Sequence, residues 1–167
     1  MTARTPATVI SAVVSDVDGT LVTDDKVLTP RSEAAVARLR AAGIAFAIIS
    51  SRPPRGLRLL VERLAITAPV GGFNGGVLAT PQLSTITQHL LPPALARQAV
   101  DMIEASGAQP WVFCGPDWFT RDPNGPYVGL EERAVAFPPT IVKDFAHALD
   151  SAAKIVAVSA DFALLDA

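Results

Sequence analysis

β-Branched and other apolar residues dominate two short stretches, VISAVVSDV at residues 9–17 and IAFAIIS at 44–50. Neither alternates cleanly with polar residues, so both predict strands buried on both faces, as in a parallel sheet. Between them Thr29 and Pro30 predict an N-cap followed by a first-turn proline. Residues 31–42 are alanine-rich, with Val36 and Leu39 on one side, and Gly43 closes that helix. Pro53 and Pro54 open a second helix to about Leu64, and residues 69–73 form a third strand that runs into the turn Asn74-Gly75-Gly76. Strand, helix, strand, helix, strand is the pattern of a parallel α/β unit, whose ligands sit at the carboxyl ends of the strands. Asp16, Ser50 and Asn74 all fall there.

After Gly76 the pattern changes. Residues 77–90 predict a hairpin, and Pro92-Pro93 opens a helix to about Ser106. QPWVFCGPDWFTR at 109–121 predicts two short strands around Gly115-Pro116, and DPNGP a loop. Residues 129–136 predict a short helix and KIVAVS at 154–159 a strand. The chain therefore divides into an α/β part at 1–90 and a smaller α+β part at 91–167, with no repeat and no low-complexity tract.

Half of the 167 residues are apolar and 18% are charged, which supports a packed core and excludes a disordered chain. A formal charge of -2 offers no basic field for nucleic acid. Cys114 is alone, so no disulfide forms within the chain, and a cytoplasmic location is expected. The leading segment makes a poor signal peptide, and no apolar run approaches the ~20 residues of a membrane span.

Asp16 and Asp18 carry the chemistry. Two apart on a strand, they lie on one side at roughly 6–7 Å. Carboxylates held that close repel unless a cation or a shared proton relieves them. Magnesium, with oxygen ligands at about 2.1 Å, does so. One carboxylate can attack phosphorus while the other moves the proton. The plainer alternative is a strand that ends in an Asp-Gly turn with solvated acids.

DVDGTL resembles the first motif of the haloacid dehalogenase (HAD) superfamily, DxDGT[LV], whose first Asp is the nucleophile. IAFAIISSRPP resembles the second motif of its Cof-type (subfamily IIB) phosphatases, a hydrophobic strand ending in T/S-G-R-P. GGFNGGV resembles the Asn-Gly turn after their third strand. The three follow in the family's order across residues 10–80. WFTRDPNGPYVGLEE and KIVAVSADFALL resemble segments of the C2-type α/β cap of the same subfamily.

The resemblance implies a HAD-like Rossmannoid sheet with a smaller α+β cap. It implies a magnesium-dependent phosphatase of small phosphorylated metabolites, sugar phosphates among them, working through an aspartyl phosphate. Asp16 would be the nucleophile, Asp18 the acid/base, and both magnesium ligands. Ser50 matches the hydroxyl that bonds a phosphoryl oxygen, or else caps a helix. Ser51 stands where the family has Gly, and its side chain occupies space where backbone should approach phosphate. Arg52 faces phosphate or substrate, or is a solvated cation, and Arg55 is expected in solvent. Asn74 orients substrate or holds a left-handed turn. Trp111, Phe113, Trp118 and Phe119 are expected in the core of the cap, and Cys114 as a small core residue. Arg121 and residues 122–127 can supply specificity or form only a turn. His89 and His147 receive no role.

Two family motifs are missing: a Lys that steadies the phosphoryl group, and an acidic G-D-x-x-[ND]-D run that completes the metal site. Lys143 and Lys154 lie in the expected cap. The chain is therefore expected to be the N-terminal part of a longer sequence, inactive alone and prone to self-association, because the family's first strand lies mid-sheet. The alternatives are a non-catalytic binding module, and a receiver-type signalling domain. The latter needs an acid after the third strand, where this chain has Asn74 and Gly75.

Overall fold

The structure, a computed structural model, describes residues 10–164. Val9 of the first expected strand, the rest of the leading segment and Leu165 of KIVAVSADFALL lie outside the described residues. The first part contains β1 (Ala12–Asp16), α1 (Pro30–Ala41), β2 (Ala45–Ile49), α2 (Arg58–Arg63), β3 (Val70–Gly72), β4 (Val77–Ala79) and β5 (Thr85–Gln88). These strands form one sheet in the order β1-β2-β3-β4-β5. β1, β2 and β3 are parallel, with Asp16 opposite Ile49 and Ile49 opposite Gly71. β4 and β5 return antiparallel. The α/β class and the parallel opening unit are as the sequence implies.

Local chemistry explains the helices. The Thr29 hydroxyl accepts from Ser32 N at 3.1 Å, Pro30 opens α1, and Glu33 sits in its first turn. Gly43, just past the C-cap, takes φ +72°, which it adopts without steric cost. Val36 of α1 packs with Ile48, Leu60, Val61 and Val70 in a core on one face of the sheet. The second expected helix divides into a 3₁₀ turn at Pro54–Leu57 and the six-residue α2.

The expectation that the first two strands are buried on both faces is overturned for each: in β2 Ala45 is exposed and only Ile48 is buried. β1 is not buried on both faces: its residues alternate between exposed and half-buried, and Ile10 and Val14 are each 64% exposed. The reason is its place at the sheet edge, where β2 is its only neighbouring strand among the described residues. An apolar β-branched run records a strand's capacity to be covered, and among the described residues no strand pairs with the outer edge of this one. Val17, one residue on, turns into the core and is fully buried.

The second part contains α3 (Pro93–Ala105), β6 (Gln109–Cys114), β7 (Asp117–Thr120), α4 (Val128–Val135), β8 (Thr140–Ile141), α5 (Ala146–Leu149) and β9 (Ala152–Val158). Its sheet runs β8-β7-β6-β9. α3 and α5 cover one face over Val112 and Ala152. The other face presents Trp111, Phe113 and Trp118 to Val128 and Val135 of α4, and Phe73 and Val77 of the first part join that cluster. Phe73 meets Phe113 edge-on at 5.7 Å between centroids, so the two sheets share apolar contact. No helix among the described residues is long and apolar enough to cross a membrane.

Gly72 is where backbone must pass close to backbone. A Cβ there would lie 2.7 Å from Cδ of Pro54 and 3.0 Å from its nitrogen. Gly72→Ala is expected to cost roughly 1–3 kcal/mol through this overlap, read as a fall in thermal midpoint. An unchanged midpoint would contradict the stated packing.

Candidate active site

β1 ends on Asp16, and the chain leaves it through a tight turn. The N–H groups of Thr20, Leu21 and Val22 all donate to the Val17 carbonyl, at 3.3, 3.0 and 3.0 Å. Gly19 takes φ +73° within this turn, a conformation that favours glycine. A short hairpin follows, with Thr23 N donating to Val27 O at 3.0 Å. It brings Lys26 back so that its Nζ lies 2.9 Å from Oδ1 of Asp18.

Arg52 completes the surroundings of Asp18. Its Nε donates to Oδ2 at 2.9 Å and its Nη2 to Oδ1 at 2.7 Å, a two-pronged contact that suits the planar guanidinium. Arg52 is buried, so it is not a solvated cation. The hydrogen bond from Arg52, helped by Lys26, holds the Asp18 carboxyl below its ordinary range against the opposing effect of burial. Asp16 is exposed, and among the described residues its carboxylate makes no side-chain hydrogen bond or ion pair.

The loops after β2 and β3 are tied together. Ser50 N donates to Gly71 O at 3.0 Å, Asn74 N to Ser50 O at 2.8 Å, and Phe73 N to Arg52 O at 3.0 Å. The Ser50 hydroxyl is 1% exposed and accepts from Arg52 N at 3.2 Å. It thus shapes its own loop and does not cap a helix. Asn74 is exposed and left-handed at φ 55°, and Ser51 is exposed.

The register and these bonds bring the Asp16, Ser50 and Asn74 backbones to one edge of the sheet, and the Asp18 and Arg52 side chains into contact. Arg121 is not among them: it pairs with Glu104 at 2.6 Å and lies over Phe145, toward the α3 and α5 face. Trp111, Phe113 and Trp118 are buried. Arg55 is exposed, as expected, and from the surface it pairs with Asp117 at 2.6 Å while its guanidinium sits 4.2 Å from the Phe137 ring centroid.

Three groups escaped the sequence reading. Lys26 is a single lysine in TDDKV, and only the hairpin shows where it points. Lys154 of β9 donates from Nζ to Ser51 O at 3.2 Å. Glu131 of α4 has its carboxyl pushed up, chiefly by burial and against the pull of Lys154 and Arg52. Burial pushes the Lys154 ammonium down, against Glu131.

For a divalent cation the donor set is thin. No group of three or more His, Cys, Asp or Glu residues clusters among the described residues. Both Asp18 oxygens already face cations. Of the two acids Asp16 alone offers a carboxylate without a side-chain partner among the described residues, and magnesium requires six oxygens, some of them water.

The family model for haloacid dehalogenase-like hydrolases matches residues 13–166. The chain belongs to this family. Among curated relatives, it is 30% identical over 95 residues to the Bacillus subtilis 5-amino-6-(5-phospho-D-ribitylamino)uracil phosphatase YitU, over 56% of this chain and 35% of the relative. It is 27% identical over 128 residues to the Escherichia coli pyridoxal phosphate phosphatase YbhA, over 76% of this chain and 47% of the relative. The chain thus spans less than half the length of either. Among solved structures, a haloacid dehalogenase-like hydrolase from Bacteroides thetaiotaomicron superposes with TM-score 0.82 at 22% identity, over 93% of this chain and 60% of that one. A HAD subclass IIB sugar phosphatase superposes with TM-score 0.69 at 19% identity, over 87% and 57%. These likenesses show the shared fold.

Removing Arg52 leaves Asp18 part-buried with Lys26 alone. Arg52→Ala is expected to raise the Asp18 carboxyl pKa, followed by ¹³C NMR of the carboxyl, and to cost roughly 1–3 kcal/mol. In the wild type the folded value lies below the unfolded one. The contribution is therefore complete at neutral pH and is lost only as the pH falls below the ordinary aspartate value of about 3.9. An Asp18 titration unchanged in Arg52→Ala would contradict the ion pair.

Proposed function

We propose that this chain carries the nucleophile half of a magnesium-dependent phosphatase of small phosphorylated metabolites, sugar phosphates among them. In this reading residues 1–90 belong to the phosphatase core and 91–167 to a C2-type cap, and the protein works in the cytoplasm. The observation that carries it is the contrast between the two acids: Asp16 stands free at the end of β1, while Asp18 is held between Arg52 and Lys26. A free carboxylate is available to attack phosphorus, and a carboxylate locked by cations is not.

Asp16 attacks the phosphoryl group, and the bond to the leaving oxygen breaks. Asp18 then serves as base for the water that releases phosphate. For it to act first as acid, the Arg52 contact must open, because that contact favours the charged form. Arg52 can then turn to the phosphoryl oxygens, and Ser50, Ser51 and Asn74 line the approach. Only with the Arg52 and Lys26 contacts open would Asp16 and Asp18 hold magnesium, which would then offset the charge of the transferring group. Asp16→Asn in the full-length gene product is expected to abolish phosphate release from a generic phosphate ester, and retention of most activity would refute the assignment.

The thin donor set around Asp18 favours a second reading for this chain by itself, a binding module without turnover. Groups that neutralise phosphoryl charge contribute roughly 10³–10⁵ in rate. The 167-residue chain is expected to turn over phosphate esters more slowly than its relatives by at least that factor, and to bind magnesium no tighter than millimolar. Steady-state kinetics and calorimetry read both quantities, and family-like turnover with tight magnesium binding would sink this reading.

Among the described residues the outer edge of β1 is unpaired, with Val14 exposed on it and Ile10 exposed just before it, and such an edge is a template for a further strand. Self-association of the chain through this edge is expected in light scattering. A clean monomer with β1 amides still protected from exchange would exclude it.

A further inference from the structure

We propose that Lys154 is an anion-binding residue of the Asp16 site, delivered by the second sheet to contact the phosphoryl group of the substrate. This rests on the reading of that site as a phosphate-ester site. Lys154 lies on β9 opposite Phe113 of β6. Its Nζ sits 5.0 Å from the Phe113 ring centroid and 3.2 Å from Ser51 O. Phe113 in turn meets Phe73, beside Asn74. The ammonium is therefore anchored where the loop after β2 and the loop after β3 come together, and those loops carry Ser50, Ser51 and Asn74.

Its partners do not account for its charge. Lys26 and Arg52 share the Asp18 carboxylate, and Arg55 has Asp117. Lys154 makes no salt bridge among the described residues, and the carboxylate whose charge acts on it is Glu131. An ammonium offers three donors, and one is spent on the Ser51 carbonyl. A half-buried cation that no carboxylate contacts is only partly compensated, and the cost falls when a further anion arrives. The lowered pKa of Lys154 and the raised pKa of Glu131 agree with this, both groups having lost water without full compensation. Phosphate bound beside the Ser51 backbone would meet the remaining donors.

The plainer role is a tie between the two sheets, and phosphate titration separates the two. Inorganic phosphate is added to the 167-residue chain in magnesium buffer and followed by ³¹P NMR. Lys154→Met keeps the apolar stem over Phe113 and is expected to weaken phosphate binding roughly tenfold or more, as for loss of one charge-assisted contact. Lys154→Arg should retain most of the affinity. In the wild type the Lys154 ¹³Cε resonance should shift with the same midpoint, a readout that does not depend on the variant folding. A stationary resonance, or wild-type affinity in a folded Lys154→Met, overturns the proposal. Ser50→Ala tests the underlying site separately. If Ser50→Ala weakens binding and Lys154→Met does not, the site reading stands and the role of Lys154 falls. If Lys154→Met alone weakens binding, the anion contact stands and the role of Ser50 falls. Absence of phosphate binding by the wild type overturns both.

Discussion

The ion pair between Asp18 and Arg52 organises the molecule. It joins the turn after β1 to the loop after β2 through two hydrogen bonds, with Arg52 buried behind it. Burying a guanidinium is costly unless it is paired, and a fork onto one carboxylate is the geometry that best offsets that cost. With Arg52 fixed, its carbonyl receives Phe73 N, its amide meets the Ser50 hydroxyl, and Ser50 O takes Asn74 N. The three loops that end the parallel strands are thereby held as one surface. The same pair makes the two acids unequal, leaving Asp16 free and Asp18 charged.

The second sheet is seated on that surface by apolar and ionic contacts together. Phe73 enters the cluster of Phe113, Trp118 and Val135, and Gly56 lets the turn before α2 approach Val135, where a Cβ would stand at 3.3 Å. Arg55 bridges to Asp117 and covers Phe137. Exposed ion pairs contribute little by themselves, on the order of 0–1 kcal/mol. The aromatic cluster therefore carries most of the attachment and the charges set its orientation.

What could be read from the sequence was what depends on neighbours along the chain. Thr29, Pro30 and Gly43 mark α1 because caps and left-handed turns are local chemistry. The order of strands follows from the spacing of apolar runs, and Asp16 falls at the end of β1 for the same reason. Burial of β1 could not be read, because it depends on which strand lies beside it, and the same apolar run fits an edge or a centre. The partners of Asp18 could not be read either: Arg52 lies 34 residues away and is placed by the parallel register of β1 and β2. Lys154 is 103 residues from Ser51 and no local pattern links them. Ser50 was legible as the carboxyl end of the second strand, but β2 ends at Ile49 and the Ser50 hydroxyl serves the following loop through Arg52 N, a contact that only the folded turn defines.

The inequality of the two acids is tested most directly by identifying which of them becomes phosphorylated. The full-length gene product, mixed with a phosphate ester, quenched in acid and reduced with borohydride, converts an aspartyl phosphate to homoserine. Peptide mass mapping then assigns the position. Conversion at Asp16 alone is the expected result. Conversion at Asp18, or at another residue while Asp16 stays intact, would contradict the account.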